Sequence, residues 1–172
     1  MVVVVWIADG VWPAAVDAAR AMATPDADFV LVHVTPGDVE EVVHGAFAGL
    51  FGRGLSAPAA VDQAAAAGAN DLLEAAAARL GRPVCCQARQ GRIEREVVAA
   101  AEHADLLVIS RDGDRTRLGP HSLGPVSRFV VDHAPCAVLL VWPGSAPAVG
   151  TIPAPPRRPP VPPRGTPGPH PQ

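Results

Sequence analysis

Five short runs rich in Val, Ile and Leu punctuate the chain, at Val2–Ala8, Asp28–Val34, Pro83–Ala88, Asp105–Ser110 and Cys136–Trp142. Each is too short for a free-standing helix, and none alternates cleanly between apolar and polar positions. That is the signature of strands buried on both faces. Between them lie stretches of helical character: Val11–Ala23, two pieces within Asp38–Leu80, Ile93–His103 and Pro125–Ala134. Strand and helix alternate, with crossovers long enough to bring the chain back parallel, so the pattern predicts a parallel α/β sandwich.

The borders are punctuated as such a fold requires. Thr35-Pro36-Gly37 ends the second strand, Gly81-Arg82-Pro83 ends the long helix, and Ala134-Pro135 stops the last helix before its strand. Ala57–Leu80 is the clearest helix, alanine-dense with apolar residues at Val61, Leu72, Leu73 and Leu80 and interrupted by Gly68. Leu118-Gly119-Pro120-His121-Ser122 is followed at once by Leu123-Gly124-Pro125-Val126-Ser127, and either Gly-Pro fits the start of a helix. A start at Pro120 would leave Pro125 inside the helix at a cost of about 3 kcal/mol, so the helix is predicted to begin at Gly124-Pro125 and the first copy to remain loop. The stretch Gly45–Leu55 reads either as a lid over a ligand or as an insertion packing Phe47 and Phe51 on the core.

Composition changes the picture at the C-terminus. With 172 residues, 49% of them apolar, the chain suffices for one ordinary domain, placed at residues 1–143. Residues 144–172 are dense in proline, carry Arg157, Arg158 and Arg164 but no acid, and are expected to form a disordered tail. Arg157 to Arg164 fits a polyproline ligand with flanking arginines, read either as a partner-binding arm or as a spacer. All 14 basic side chains are arginines against 17 acids; with the tail set aside the net charge moves from −3 to about −6, which argues against a nucleic-acid partner. No apolar run reaches the ~18 residues needed to cross a bilayer, and MVVVVWIAD lacks the basic flank of a signal peptide. Cys85, Cys86 and Cys136 form no CxxC pair, so a reducing cytoplasm is the expected location.

The chemistry concentrates between Asp105 and Trp142: an apolar strand, a loop rich in Gly and Arg, a short amphipathic helix and a second apolar strand. A parallel strand feeding such a loop and then a helix N-terminus presents backbone N–H groups to an anion, with the helix dipole favouring negative charge. Nucleophilic or metal chemistry finds no support. No Cys or Ser stands at motif spacing from a His and a carboxylate, and His33, His44, His103, His121 and His133 have no partner pattern. Gly52-Arg53-Gly54 follows no strand and is not a dinucleotide fingerprint.

Several features in order resemble the universal stress protein family: a first strand ending in Ala8-Asp9-Gly10, a second ending in His33-Val34, the turn Gln90-Gly91-Arg92 followed by IEREVVAAAEHADLLVIS, and the closing stretch SRFVVDHAPCAVLLV. The resemblance covers about Val2 to Val141. It implies a five-stranded parallel sheet of order 3-2-1-4-5 flanked by helices, and in the ATP-binding members a Gly-x2-Gly-x9-Gly-Ser/Thr loop after the fourth strand. Carried over by position, the nucleotide-binding residues would be Ala8, Asp9, Gly10, Val34, Ser110, Arg111, Gly113, Arg115, Gly124, Pro125 and Val126. For Asp9 the alternative is capping of the following helix.

This chain departs from that loop in three ways. Ser110 replaces the first glycine, ten residues rather than nine separate Gly113 from Gly124, and Pro125 replaces the final Ser/Thr. Pro125 removes a hydroxyl and a backbone N–H; at about 1.5–3 kcal/mol for a hydrogen bond to a charged group, each loss weakens phosphate binding roughly ten- to a hundred-fold. Arg111, Arg115 and Arg117 either replace them as a phosphate clamp or pair with Asp112 and Asp114 at the surface. The resemblance thus implies a non-catalytic stress-response regulator that binds ATP or ADP weakly or not at all, with Mg only alongside nucleotide. It further implies a homodimer joined through Ala137, Val138, Leu139, Leu140 and Val141. The alternatives are a slow ATP hydrolase or nucleotidyl-transfer enzyme on the same scaffold, and a nucleotide-free protein-interaction scaffold.

Overall fold

The computed structural model describes residues 1–37 and 57–154. Its elements run β1 (Val2–Trp6), α1 (Trp12–Met22), β2 (Asp28–Pro36), α2 (Ala57–Leu80), β3 (Val84–Gly91), α3 (Ile93–Ala100), β4 (Leu106–Ser110), α4 (Pro125–His133) and β5 (Ala137–Val141). The five strands form one sheet of order β3-β2-β1-β4-β5, parallel at every pairing. The parallel class is the one the sequence pattern predicts, and the strand order is the one the family resemblance implies.

Side-chain alternation along the central strands divides the core into two layers. Val3, Val5, Ile7, Leu31 and Val108 face one side, where Ala15, Val16 and Ala19 of α1 and Leu73, Ala76 and Leu80 of α2 close over them. Val4, Trp6, Val32, Val34, Leu107 and Ile109 face the other, against Val97 and Ala101 at the α3 end and Val130 of α4. In α2 the buried positions Ala69, Leu73, Ala76 and Leu80 follow helical spacing, so this alanine-rich helix packs by small residues against the sheet. Arg79 of α2 clamps Asp17 of α1 through two hydrogen bonds of 2.8 and 2.6 Å, and Arg82 donates to the Thr24 carbonyl at 3.1 Å with its guanidinium 4.7 Å from the Phe29 ring centroid.

Four sequence expectations are revised. The second strand continues past Val34 to Pro36 because β3 extends alongside it, with Pro36 opposite Gly91 and Gly37 N–H closing the ladder on the Gly91 carbonyl at 3.2 Å. β3 is not buried on both faces: it is an edge strand, and both Cys85 and Cys86 are exposed. The Gly119-Pro120 copy is not plain loop but a single 3₁₀ turn, Pro120–Ser122, while α4 begins at Gly124-Pro125 as the proline argument requires. The chain beyond Gly144 also keeps a defined path to Ala154, with a 3₁₀ turn at Val149–Thr151. Disorder from Gly144 onward is therefore corrected for 144–154, where the Thr151 hydroxyl donates to the Ala148 carbonyl at 2.7 Å. The Gly45–Leu55 stretch, the first helical piece expected after Asp38 and the Arg157–Arg164 motif lie outside the described residues.

Leu31 is fully buried and Met22 is 64% exposed. Leu31→Ala is expected to lower unfolding stability by about 2–5 kcal/mol, whereas Met22→Ala should change it by less than about 0.5 kcal/mol, both measured by urea denaturation. Equal effects at the two positions would contradict the two-layer core.

Candidate functional site

Parallel pairing of β1 with β4, Val5 opposite Val108, brings the turn after β1 and the loop after β4 to the same edge of the sheet. Ligands of open α/β sheets bind at such carboxyl ends. On the β1 side the Ala8 carbonyl accepts the N–H groups of Val11 and Trp12 at 3.3 and 3.1 Å, and Gly10 takes the left-handed conformation the turn demands, φ +72°. Asp9 is exposed and does not cap α1, whose N-cap is Val11 with no side-chain cap bond. Its carboxylate is thus presented at the edge. His33, buried within β2, bonds the Ile7 carbonyl through Nδ1 at 2.8 Å and fixes the chain just past β1 from the other side. Val34 is 4% exposed and packs in the core, so its side chain has no face toward a ligand.

The loop from Arg111 to Gly124 folds back on itself. Arg111 N–H continues the β4–β5 ladder to the Val141 carbonyl at 2.8 Å. Gly113 N–H donates to the Ser122 carbonyl at 3.1 Å and Asp114 N–H to the His121 carbonyl at 2.8 Å, pinching the two ends of the loop together. The approach is so close that a Cβ on Gly113 would collide with the His121 carbonyl oxygen and lie 2.9 Å from the Ser122 carbonyl carbon. Gly124 N–H, at the N-cap of α4, donates to Asp112 Oδ1 at 2.7 Å. Leu118 N–H, at the loop's tip, donates to Thr151 Oγ1 of the C-terminal segment at 3.0 Å.

The charged residues divide accordingly. Asp114 accepts from Thr116 N–H at 2.9 Å and Thr116 Oγ1 at 2.6 Å, and pairs with Arg117 Nε at 3.0 Å. The Thr116 hydroxyl and amide, aided by Arg117, hold the Asp114 carboxyl below its ordinary value. Arg111 turns inward: its guanidinium lies 4.8 Å from the Trp142 ring centroid and Nη1 donates to Ser122 Oγ, while Nε is buried without a partner. Ser122 in turn donates to the Gly119 carbonyl at 2.7 Å. Arg115 is exposed and, among the described residues, makes no ion pair. Of the two roles open to the arginines, surface pairing with Asp114 falls to Arg117 alone; Asp112 pairs with a backbone amide instead.

Unsatisfied capacity gathers at the loop's base. Ser110 Oγ and Ser127 Oγ are buried without partners, as is Arg111 Nε. Pro125 has no N–H, and the Val126 and Ser127 amides, in the first turn of α4, have no intrahelical acceptor. Ser110 Oγ, Ser127 Oγ and Arg111 Nε are shut off from solvent and Ser127 is fully buried, which leaves the Val126 amide as the unpaired donor on a partly exposed residue. Ser110, Gly113, Gly124, Pro125 and Val126 thus lie from the end of β4 to the first turn of α4, and Asp9 and Gly10 on the turn after the neighbouring β1. Three participants escaped the sequence reading. Trp142 is legible from the register, since Ser110 opposite Val141 sets Arg111 beside it; Ser122 and Thr151 carry no local signal.

The Cys136 thiol is half-buried and burial pushes its pKa up, which suits packing rather than nucleophilic chemistry. No helix of the described residues is long and apolar enough to cross a membrane.

The sequence model of the universal stress protein family matches residues 10–141, and the chain belongs to that family. No curated protein matches it significantly. Among solved structures, the hypothetical protein MJ0577 aligns at 20% identity and a TM-score of 0.61, over 84% of this chain and 97% of its own. A universal stress protein in complex with cAMP aligns at 19% and 0.55, over 84% and 98%. A family protein from Arabidopsis thaliana with AMP bound aligns at 18% and 0.51, over 90% and 96%.

A carboxyl whose folded pKa is depressed stabilises above its unfolded value and loses that contribution as pH falls through the folded one. The Thr116 amide resonance should therefore follow Asp114 with a midpoint below the ordinary 3.8. A midpoint at or above that value in an NMR titration would contradict the Asp114 cluster.

Proposed function

We propose that this chain is a regulatory, non-catalytic member of its family, a cytoplasmic homodimer that binds adenine nucleotide weakly at the carboxyl edge of the sheet. The observation that carries the reading is the internal engagement of Gly113, Asp114 and Gly124 N–H beside the exposed Asp9. A phosphate must displace those partners or rely on the Val126 amide with the exposed Arg115. Each forgone charged hydrogen bond weakens affinity roughly ten- to a hundred-fold. Similar folds with cAMP and AMP bound support an adenine-type ligand, and magnesium would enter only with the nucleotide. The loop carboxylates support binding without turnover, since Asp112 is bonded to Gly124 and Asp114 to Thr116 and Arg117 rather than poised as a general base.

The dimer reading rests on β5. It has β4 as its single neighbour in the sheet, and Val138 to Val141 are only half-buried along it. An apolar edge of this kind is covered by a second copy or invites aggregation.

Titration calorimetry with ATP, ADP and cyclic AMP should give dissociation constants weaker than about 10 μM. Tighter ATP binding would mean that the arginines fully replace the missing serine, contrary to this account. In sedimentation equilibrium, Val138→Lys or Leu140→Lys should convert the dimer to monomer; a dimer unaffected by both would remove β5 from the interface.

A further inference from the structure

We propose that Asp112 determines which ligands this site accepts, acting as a built-in anion that excludes polyphosphates and leaves room for nucleosides and nucleoside monophosphates. The inference rests on the nucleotide-site reading above and specifies its ligand class. The Asp112 carboxylate occupies the place at the N-terminus of α4 where an external anion is most favoured, 2.7 Å from the Gly124 amide nitrogen. It also covers that position: a Cβ on Gly124 would lie 2.8 Å from Oδ2 and 3.2 Å from the carboxyl carbon. A second observation marks the same turn as unfinished. Ser127 is fully buried, yet its Oγ has no partner, and its own amide lacks an intrahelical acceptor.

The loop is fastened on both sides, which holds the Asp112 backbone beside the start of α4. Gly113 and Asp114, the next residues, are tied to Ser122 and His121. The loop's tip is latched by Thr151 through Leu118 N–H, and Arg128 of α4 donates to the Pro120 carbonyl and, at 3.4 Å, to the Leu123 carbonyl. A chain of phosphates laid along this turn meets like charge at close range, with the strongest helix-end donor already taken. A nucleoside held near Asp9 carries no charge for the Asp112 carboxylate to oppose. A single phosphate has the Val126 amide, on a partly exposed residue, and the exposed Arg115 left to it.

Asp112→Asn tests this with little structural disturbance, because the amide oxygen still accepts from Gly124 while the charge is gone. Wild-type protein should bind adenosine and AMP more tightly than ATP. In Asp112→Asn, ATP affinity should rise at least tenfold while adenosine affinity stays within about twofold, and Asp112→Ala should shift ATP in the same direction. Wild-type preference for ATP over AMP, or ATP and adenosine affinities that both stay unchanged in the variants, would overturn the assignment while leaving nucleotide binding intact. Inorganic tripolyphosphate separates the two readings, monitored by NMR at Val126 and Ser127. Should neither chain bind adenosine or AMP, the proposed function fails. Tripolyphosphate binding by Asp112→Asn but not wild type would then still support the exclusion, and identical behaviour of the two would overturn it.

Discussion

A parallel sheet covered by helices on both faces must send every crossover outside itself, so its strand ends are where the chain turns and where backbone donors stand unpaired. In this protein the pairing of β1 with β4 is the contact on which the rest depends. It is the join between the two halves of the sheet, each strand buried on both faces, and it sets the Ala8–Gly10 turn beside the Ser110–Pro125 loop. Everything said of a site follows from that adjacency. A shift of one residue in the register would turn Val3, Val5 and Val108 away from α1 and α2, so the position of the loop is fixed by core packing.

The loop itself resolves a conflict between two demands on the same atoms. A phosphate site needs amides left free, whereas a long loop over a hydrophobic sheet is stable only if its polar groups are paired. Here the second demand prevails at Gly113, Asp114, Leu118 and Gly124, and the internal partners come from three sources: the far side of the loop, the Asp112 carboxylate and the C-terminal segment. Pro125 fits this balance. It suits the first turn of α4, where its fixed φ is helical, and it removes one more donor from the place an anion would approach. On the proposed reading, weaker phosphate binding accompanies a loop whose polar groups are paired within the protein.

Much of the architecture was legible because the central strands are short, unbroken apolar runs set between helical stretches. The order of elements, the parallel class, the helix over Ala57–Leu80 and the start of α4 all follow from patterns within one element. The cost of proline inside a helix alone placed that last boundary. Features that depend on two distant segments were not legible. Cys85 and Cys86 look buried within an apolar run, but β3 is an edge strand and exposes both. Asp112 sits among arginines in sequence, which suggests ion pairs, yet its partner is an amide twelve residues away. A single threonine within a Pro-rich stretch gives no sign that it latches the loop, and composition there argues for disorder. The family resemblance places Gly113 and Gly124 in the loop after β4 but gives no sign that their amides are already engaged within the protein.

The central claim is that the loop's amides are occupied by the protein itself, and amide hydrogen exchange of the ligand-free chain tests it most directly. Gly113, Asp114 and Gly124 should exchange at least about tenfold more slowly than their intrinsic rates, while the partly exposed Val126 in the neighbouring helical turn exchanges nearly freely. Free exchange at Gly113 and Gly124 would show an open cradle awaiting phosphate and would contradict the account.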